Sequence, residues 1–154
     1  MKLTNQEIDA RVEKATALFL QGYNCSQSVY AACADLYGID EEIALRISAS
    51  FGGGIGRMRM TCGAACGMFL LAGLENGSAA PGDAEGKMKN YALVQSLAAQ
   101  FEHENGSLNC AELLGIAPKK QDPQPEARTA AYYQKRPCKE MVASAVRIFL
   151  SSIS

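Results

Sequence analysis

Residues 24–36, NCSQSVYAACADL, decide how the rest of the chain is read. Asn24 is a residue type that caps helices with its side-chain oxygen. Behind it Cys25, Val29, Ala32, Cys33 and Leu36 recur at intervals of three and four, the spacing of one helix face. Gly38 follows as the stop.

The same grammar extends in both directions. Upstream, Ile8, Val12, Ala15, Leu18 and Phe19 predict an amphipathic helix over 5–20, interrupted at Gly22. Downstream, Asp40 caps a short helix to about Ser48. FGGGIG at 51–56 is too glycine-rich for a helix and predicts an ordered loop, spanning 51–61, with unusual backbone angles or a close approach. Thr61 opens a helix to about Glu75, and NGSAAPGD at 76–83 is a turn. Residues 84–104 form a long helix with Met88, Tyr91, Ala92, Val94, Leu97, Ala98 and Phe101 on its buried side, ended by Gly106. A short helix runs from Cys110 to Leu114 before Gly115. APKKQDPQPE at 117–126 is polar and proline-rich, a mobile loop. A helical patch at 127–134 precedes Pro137, which opens a terminal helix with Cys138, Val142, Ala145, Val146 and Phe149 on one face. No segment has strand periodicity and none repeats. The expected fold is an all-α, single-domain helical bundle over 1–154.

A chain of 154 residues can bury a core without disulfides or a structural metal. With 15 basic and 16 acidic residues, its net charge of -1 offers no broad positive field, which argues against nucleic acid and anionic membrane as partners. The apolar run MFLLAGL at 68–74 is too short to cross a bilayer, and the start, MKLTNQEIDARVEKA, has no signal-peptide core. The expected location is the cytoplasm. Six cysteines in a reducing compartment point to metal binding, redox chemistry or plain packing rather than structural disulfides.

Four of the six share one local position. Asn24-Cys25, Thr61-Cys62, Asn109-Cys110 and Pro137-Cys138 each set a cysteine directly after a helix-opening residue and at the head of an apolar stripe. The first turn of a helix presents free N–H groups and a positive dipole end, which favour thiolate, the form that binds metal and attacks disulfides. Cys33 lies in mid-helix and reads as core. Cys66, one turn beyond Cys62, reads as a resolving thiol or spare ligand. There is no C-x-x-C pair for a zinc knuckle or a thioredoxin-like site, and no C-x-x-C-H for covalent haem. His103 reads as a solvent-facing or capping residue near a helix end. GGGIGR at 52–57 matches no nucleotide motif, although Arg57 and Arg59 beside a helix start are placed to attract an anion.

FGGGIGRMRMTCGAACG, followed by ENGSLNCAELLG and KRPCKEMV, resembles the redox-active protein family named for its C-GCAxxG-C-C cysteine pattern. NCSQSV around Cys25, the Cys-Gly-Ala-x-x-Gly run of Cys62, Gly63, Ala64 and Gly67, Gly-Ser-x-x-Cys ending at Cys110, and Arg-Pro-Cys ending at Cys138 carry the resemblance in order. It implies a small helical protein with Cys25, Cys62, Cys110 and Cys138 as defining thiols, redox-active, with a metal or iron–sulfur centre. Similar segments resemble parts of split-Soret-type cytochromes, but haem is not carried over, since its attachment motif is absent. Cys33 and Cys66 fall outside the four-cysteine pattern.

Three functions compete. In the first, the four thiolates hold an iron–sulfur cluster for electron transfer to a partner, with zinc as the variant. In the second, a thiol-disulfide oxidoreductase with no cofactor uses Cys62 as attacking thiol and Cys66 or Cys25 to resolve. In the third, an interaction protein uses its thiols only for packing. Either chemistry requires the sulfurs of Cys25, Cys62 and at least one of Cys110 and Cys138 to share a pocket.

Overall fold

Side-chain caps open six of the eight helices in the computed structural model, which describes residues 1–154. Thr4 opens α1 (Asn5–Leu20) in a reciprocal capping box with Glu7, and Asn24 opens α2 (Cys25–Ala31) in another with Gln27. Asp40 caps α3 (Glu41–Ser48). The next helix, α4 (Gly63–Asn76), has no side-chain cap. Asp83 caps α5 (Ala84–Asn105), Asn109 caps α6 (Cys110–Leu114) and Thr129 caps α7 (Ala130–Lys135). The last helix, α8 (Cys138–Ile153), follows Pro137 and is also uncapped. The two uncapped starts are the ones led by Cys62 and Cys138.

Helices α2, α4 and α8 pack on one another, with α1, α3 and α5 laid around them. One apolar core results, with Phe19, Val29, Met68, Leu71, Phe101, Val142, Phe149 and Leu150 fully buried. Each such side chain contributes about 1.5–3 kcal/mol by leaving water. Gly67 sets how closely α4 lies on α2: a Cβ there would stand 2.9 Å from the Ser26 carbonyl oxygen and 3.0 Å from Val29 Cβ. No sheet forms, and no helix is long and apolar enough to cross a membrane.

The structure departs from the sequence reading in four places. The helix expected to run from Cys25 to Gly38 stops at Ala31 and resumes as a 3-10 turn at Ala34–Tyr37. The Ala32 carbonyl leaves the ladder because Arg11 Nη1 donates to it at 3.1 Å while also pairing with Asp35. On α5 only Leu97 and Phe101 are buried, whereas Met88 and Tyr91 are about 60% exposed; the helix lies at the edge of the bundle, so a narrower stripe meets the core. Thr61 does not open α4. It forms an isolated antiparallel bridge with Asn109, and Cys62 takes the cap position. Finally, the proline-rich segment 117–126, expected to be mobile, is anchored: Gln121 N donates to the Arg57 carbonyl at 3.0 Å, and Arg57 Nε donates to the Asp122 carbonyl at 2.8 Å.

Candidate functional site

The glycine-rich segment is a left-handed turn. Gly53, Gly54, Ile55, Gly56 and Arg57 have φ of 68°, 65°, 66°, 58° and 62°, and Arg59 follows at 58°. Left-handed backbone costs an L residue roughly 1–2 kcal/mol, a cost that falls on Ile55, Arg57 and Arg59. Hydrogen bonds from Arg59 N to Gly53 O at 3.2 Å and from Met60 N to Gly54 O at 2.8 Å hold it. Only glycine fits at 54, since a Cβ there would lie 2.5 Å from Cys110 Cβ. At Gly63 a Cβ would stand 2.8 Å from the Phe51 carbonyl oxygen and 3.4 Å from Cys25 Cβ.

Beside this turn the chain stitches two cysteines together. Cys62 N donates to Leu108 O at 2.7 Å and Cys110 N donates to Met60 O at 2.6 Å, flanking the Thr61–Asn109 bridge. The helix starts at Cys25 and Cys138 close the other side. Cys25, Cys62, Cys110 and Cys138 thus line a single cavity of about 60 Å³, with Gly53, Gly54, Met141 and Leu113 also in its wall. That volume accommodates several water-sized groups. Cys66 lies outside the wall, its Sγ 3.9 Å from the Thr61 carbonyl oxygen, and Cys33 is fully buried in the core. His103 is exposed in the last turn of α5.

Three guanidinium groups surround the sulfurs. Arg59, 6% exposed, donates from Nη1 to Cys110 Sγ at 3.5 Å and holds Gln121 Oε1 with Nε and Nη2 at 3.0 and 2.8 Å. Arg128 donates to the Phe19 and Tyr23 carbonyls at 3.1 and 3.0 Å and stacks on Phe19 and Tyr132. Arg136 also lies over the Tyr132 ring and pairs with Glu126, which is 4.0 Å from Arg59. The sequence reading singled out Arg59 but neither Arg128, Arg136 nor Tyr132. Arg136 stands two residues before Cys138 inside KRPC, a local signal; Arg128 has none.

The thiols are not equivalent. Cys138 is held below the ordinary thiol value, first by a hydrogen bond from the Cys25 thiol and then, against the effect of burial, by Arg136, Arg128 and Arg59. Cys25, as donor in that pair and buried, is pushed well up. Burial pushes Cys62 up to about 12 even though the Ala65 and Ala64 N–H groups pull the other way. The thiolate expected at each helix start is thus favoured at Cys138 but not at Cys25 or Cys62, and at Cys62 desolvation outweighs the donors. Burial likewise lifts Cys66 to about 11 and Cys33 to about 12. All six thiols are free. The four cysteines line one cavity, and no three His, Cys, Asp or Glu side chains are gathered closely enough to hold a single metal ion.

Residues 23–151 match the family model described as "Putative redox-active protein (C_GCAxxG_C_C)". The chain is also 28% identical, over 96% of its own length and 96% of the relative's, to an uncharacterised protein of Archaeoglobus fulgidus. No solved structure matches it.

Proposed function

Because the chain belongs to the C_GCAxxG_C_C redox-active protein family, we propose that Cys25, Cys62, Cys110 and Cys138 together hold an iron–sulfur cluster and that the protein passes electrons to a partner in the cytoplasm. The observation that carries this reading is the meeting of four cysteines from four helix starts in one cavity. The donor set fits the group: four thiols, N–H groups of Ala64 and Ala65 directed at Cys62, and the Arg59 guanidinium on Cys110. A bound cluster supplies one-electron chemistry. The residues around it supply positive charge through Arg59, Arg128 and Arg136, which offsets the thiolates, and an apolar wall at Met141 and Leu113 that limits water. A cluster is favoured over structural zinc because the chain has no C-x-x-C pair of the kind that forms zinc knuckles.

Anaerobically purified protein should contain iron and inorganic sulfide and absorb in the visible. Cys→Ser at 25, 62, 110 or 138 should each abolish or strongly reduce that absorption, while Cys33→Ala keeps it.

A second reading has its own support, the mutual influence of the Cys25 and Cys138 thiols in the wall of one cavity. Here the Cys138 thiolate attacks a disulfide in the partner, expelling one partner thiolate and forming a mixed disulfide. The Cys25 thiol then gives up its proton and attacks Cys138 sulfur, releasing the second partner thiol. The partner gains two electrons from the cysteine pair and two protons, one given up by Cys25 and one taken from solvent, and the Cys25–Cys138 disulfide forms. This pairing differs from Cys62 with Cys66 or Cys25 in taking Cys138 as the attacking thiol, because Cys138 is held below its ordinary value whereas burial pushes Cys62 and Cys66 up. If the metal-free protein reduces disulfides and only Cys25 and Cys138 are required, this reading stands and the cluster reading falls.

A further inference from the structure

Outside the cysteine cavity, and sharing Asn24, Gly53, Arg59, Arg128 and Tyr132 with its wall, lies a second cleft of about 320 Å³. It runs between the left-handed glycine turn and the anchored proline-rich segment, with Arg57 and Glu126 on its sides. Its size is at the lower end of small-molecule sites. Three guanidinium groups face it against one carboxylate, and that carboxylate is already paired with Arg136.

The arginines are committed to different degrees. Arg59 and Arg128 spend donors on Gln121, Cys110 and the Phe19 and Tyr23 carbonyls. Arg57 spends only Nε, on the Asp122 carbonyl, which leaves both terminal nitrogens without a protein acceptor. Its backbone is fixed at φ 62° within the turn and its carbonyl is tied to Gln121 N. A planar fork held in place with its outer donors free is the arrangement that receives a carboxylate or phosphate in two parallel hydrogen bonds. The Tyr132 ring, stacked under Arg128, lines both spaces.

We propose that this cleft binds a small molecule bearing an oxyanion, carboxylate or phosphate, with Arg57 as its principal anchor and Arg59 and Arg128 supplying the surrounding positive charge. The inference deepens the redox reading by giving the cysteine site an anionic ligand seated against the same wall, and its chemistry excludes cationic and purely apolar ligands from the cleft. The small volume and the net charge of -1 for the whole chain favour a small anion over a polyanion.

Isothermal calorimetry on the full-length protein at low salt tests it, with inorganic phosphate and succinate as separate probes that tell the two oxyanion sources apart. One of the two should bind saturably at one site per chain. Arg57→Asn, which keeps a side chain that tolerates positive φ, should weaken it at least tenfold, and Arg57→Lys, which keeps the charge but loses the fork, severalfold. Glu126→Gln should tighten it severalfold by removing the competing carboxylate. The Lys and Gln variants supply the answer if Arg57→Asn does not fold. Absence of saturable binding of either probe, or affinity indifferent to both Arg57→Lys and Glu126→Gln, overturns the proposal. Since the readout is heat of binding, a chain that carries no cluster yet binds the anion upholds this inference while the cluster reading fails.

Discussion

The Cys25 and Cys138 thiols line one cavity and each bears on the ionisation of the other. Charge from Arg136, Arg128 and Arg59 also favours the Cys138 thiolate, but the Cys25 donor is the larger influence. In reduced, metal-free protein, Cys138 should therefore be the first thiol alkylated by iodoacetamide near neutral pH, because the lower its pKa the larger its thiolate fraction. Cys25→Ala removes the donor, so the pH midpoint for Cys138 labelling should move upward and its rate at pH 7 fall. Site-resolved mass spectrometry against pH reads both effects; an unchanged midpoint would show that the contact does not govern Cys138. At the same scale Cys33 and Cys66 are set apart chiefly by burial.

Among the elements, α5 separates hydrophobic pattern from burial. Leu97 and Phe101 meet the core fully, while Met88 and Tyr91 stand in solvent on the same long helix. Leu97→Ala should cost about 2–5 kcal/mol of unfolding free energy, since it empties a packed position. Met88→Lys should change stability by less than about 0.5 kcal/mol. Chemical denaturation of the two variants distinguishes the observed packing from the broader buried face that spacing suggests; a cost above about 2 kcal/mol for Met88→Lys would contradict it. Caps behave more predictably than faces, because a cap is a contact between neighbours in sequence: Asn24, Asp40 and Asn109 each receive the N–H three residues on.

Across the whole molecule, Arg128 joins parts of the chain that are distant in sequence. From the segment before α7 it reaches the Phe19 carbonyl in the last turn of α1 and the Tyr23 carbonyl just beyond that helix, and stacks on Phe19 and Tyr132 beside the cysteine cavity. Arg128→Lys should lose the forked contact and most of the stacking, lowering stability by about 1.5–3 kcal/mol, and should also raise the labelling midpoint of Cys138 if the tether fails. Thermal melts and Cys138 labelling on one preparation test the link, and a neutral result in both would deny it. The helical class, the helix starts at Asn24, Asn109 and Pro137, the glycine stops and the four marked cysteines were legible in the residues themselves, because capping, φ preference and helical spacing act within a few positions. The meeting of those cysteines was not, nor the Thr61–Asn109 bridge beside two of them, nor the influence of Cys25 on Cys138, nor the arginines flanking α7 around the cavity. Each of these depends on how α2, α4 and α8 pack and how the left-handed turn brings Arg59 to Cys110, and burial and electrostatic pairing between distant segments exist only once that packing has formed.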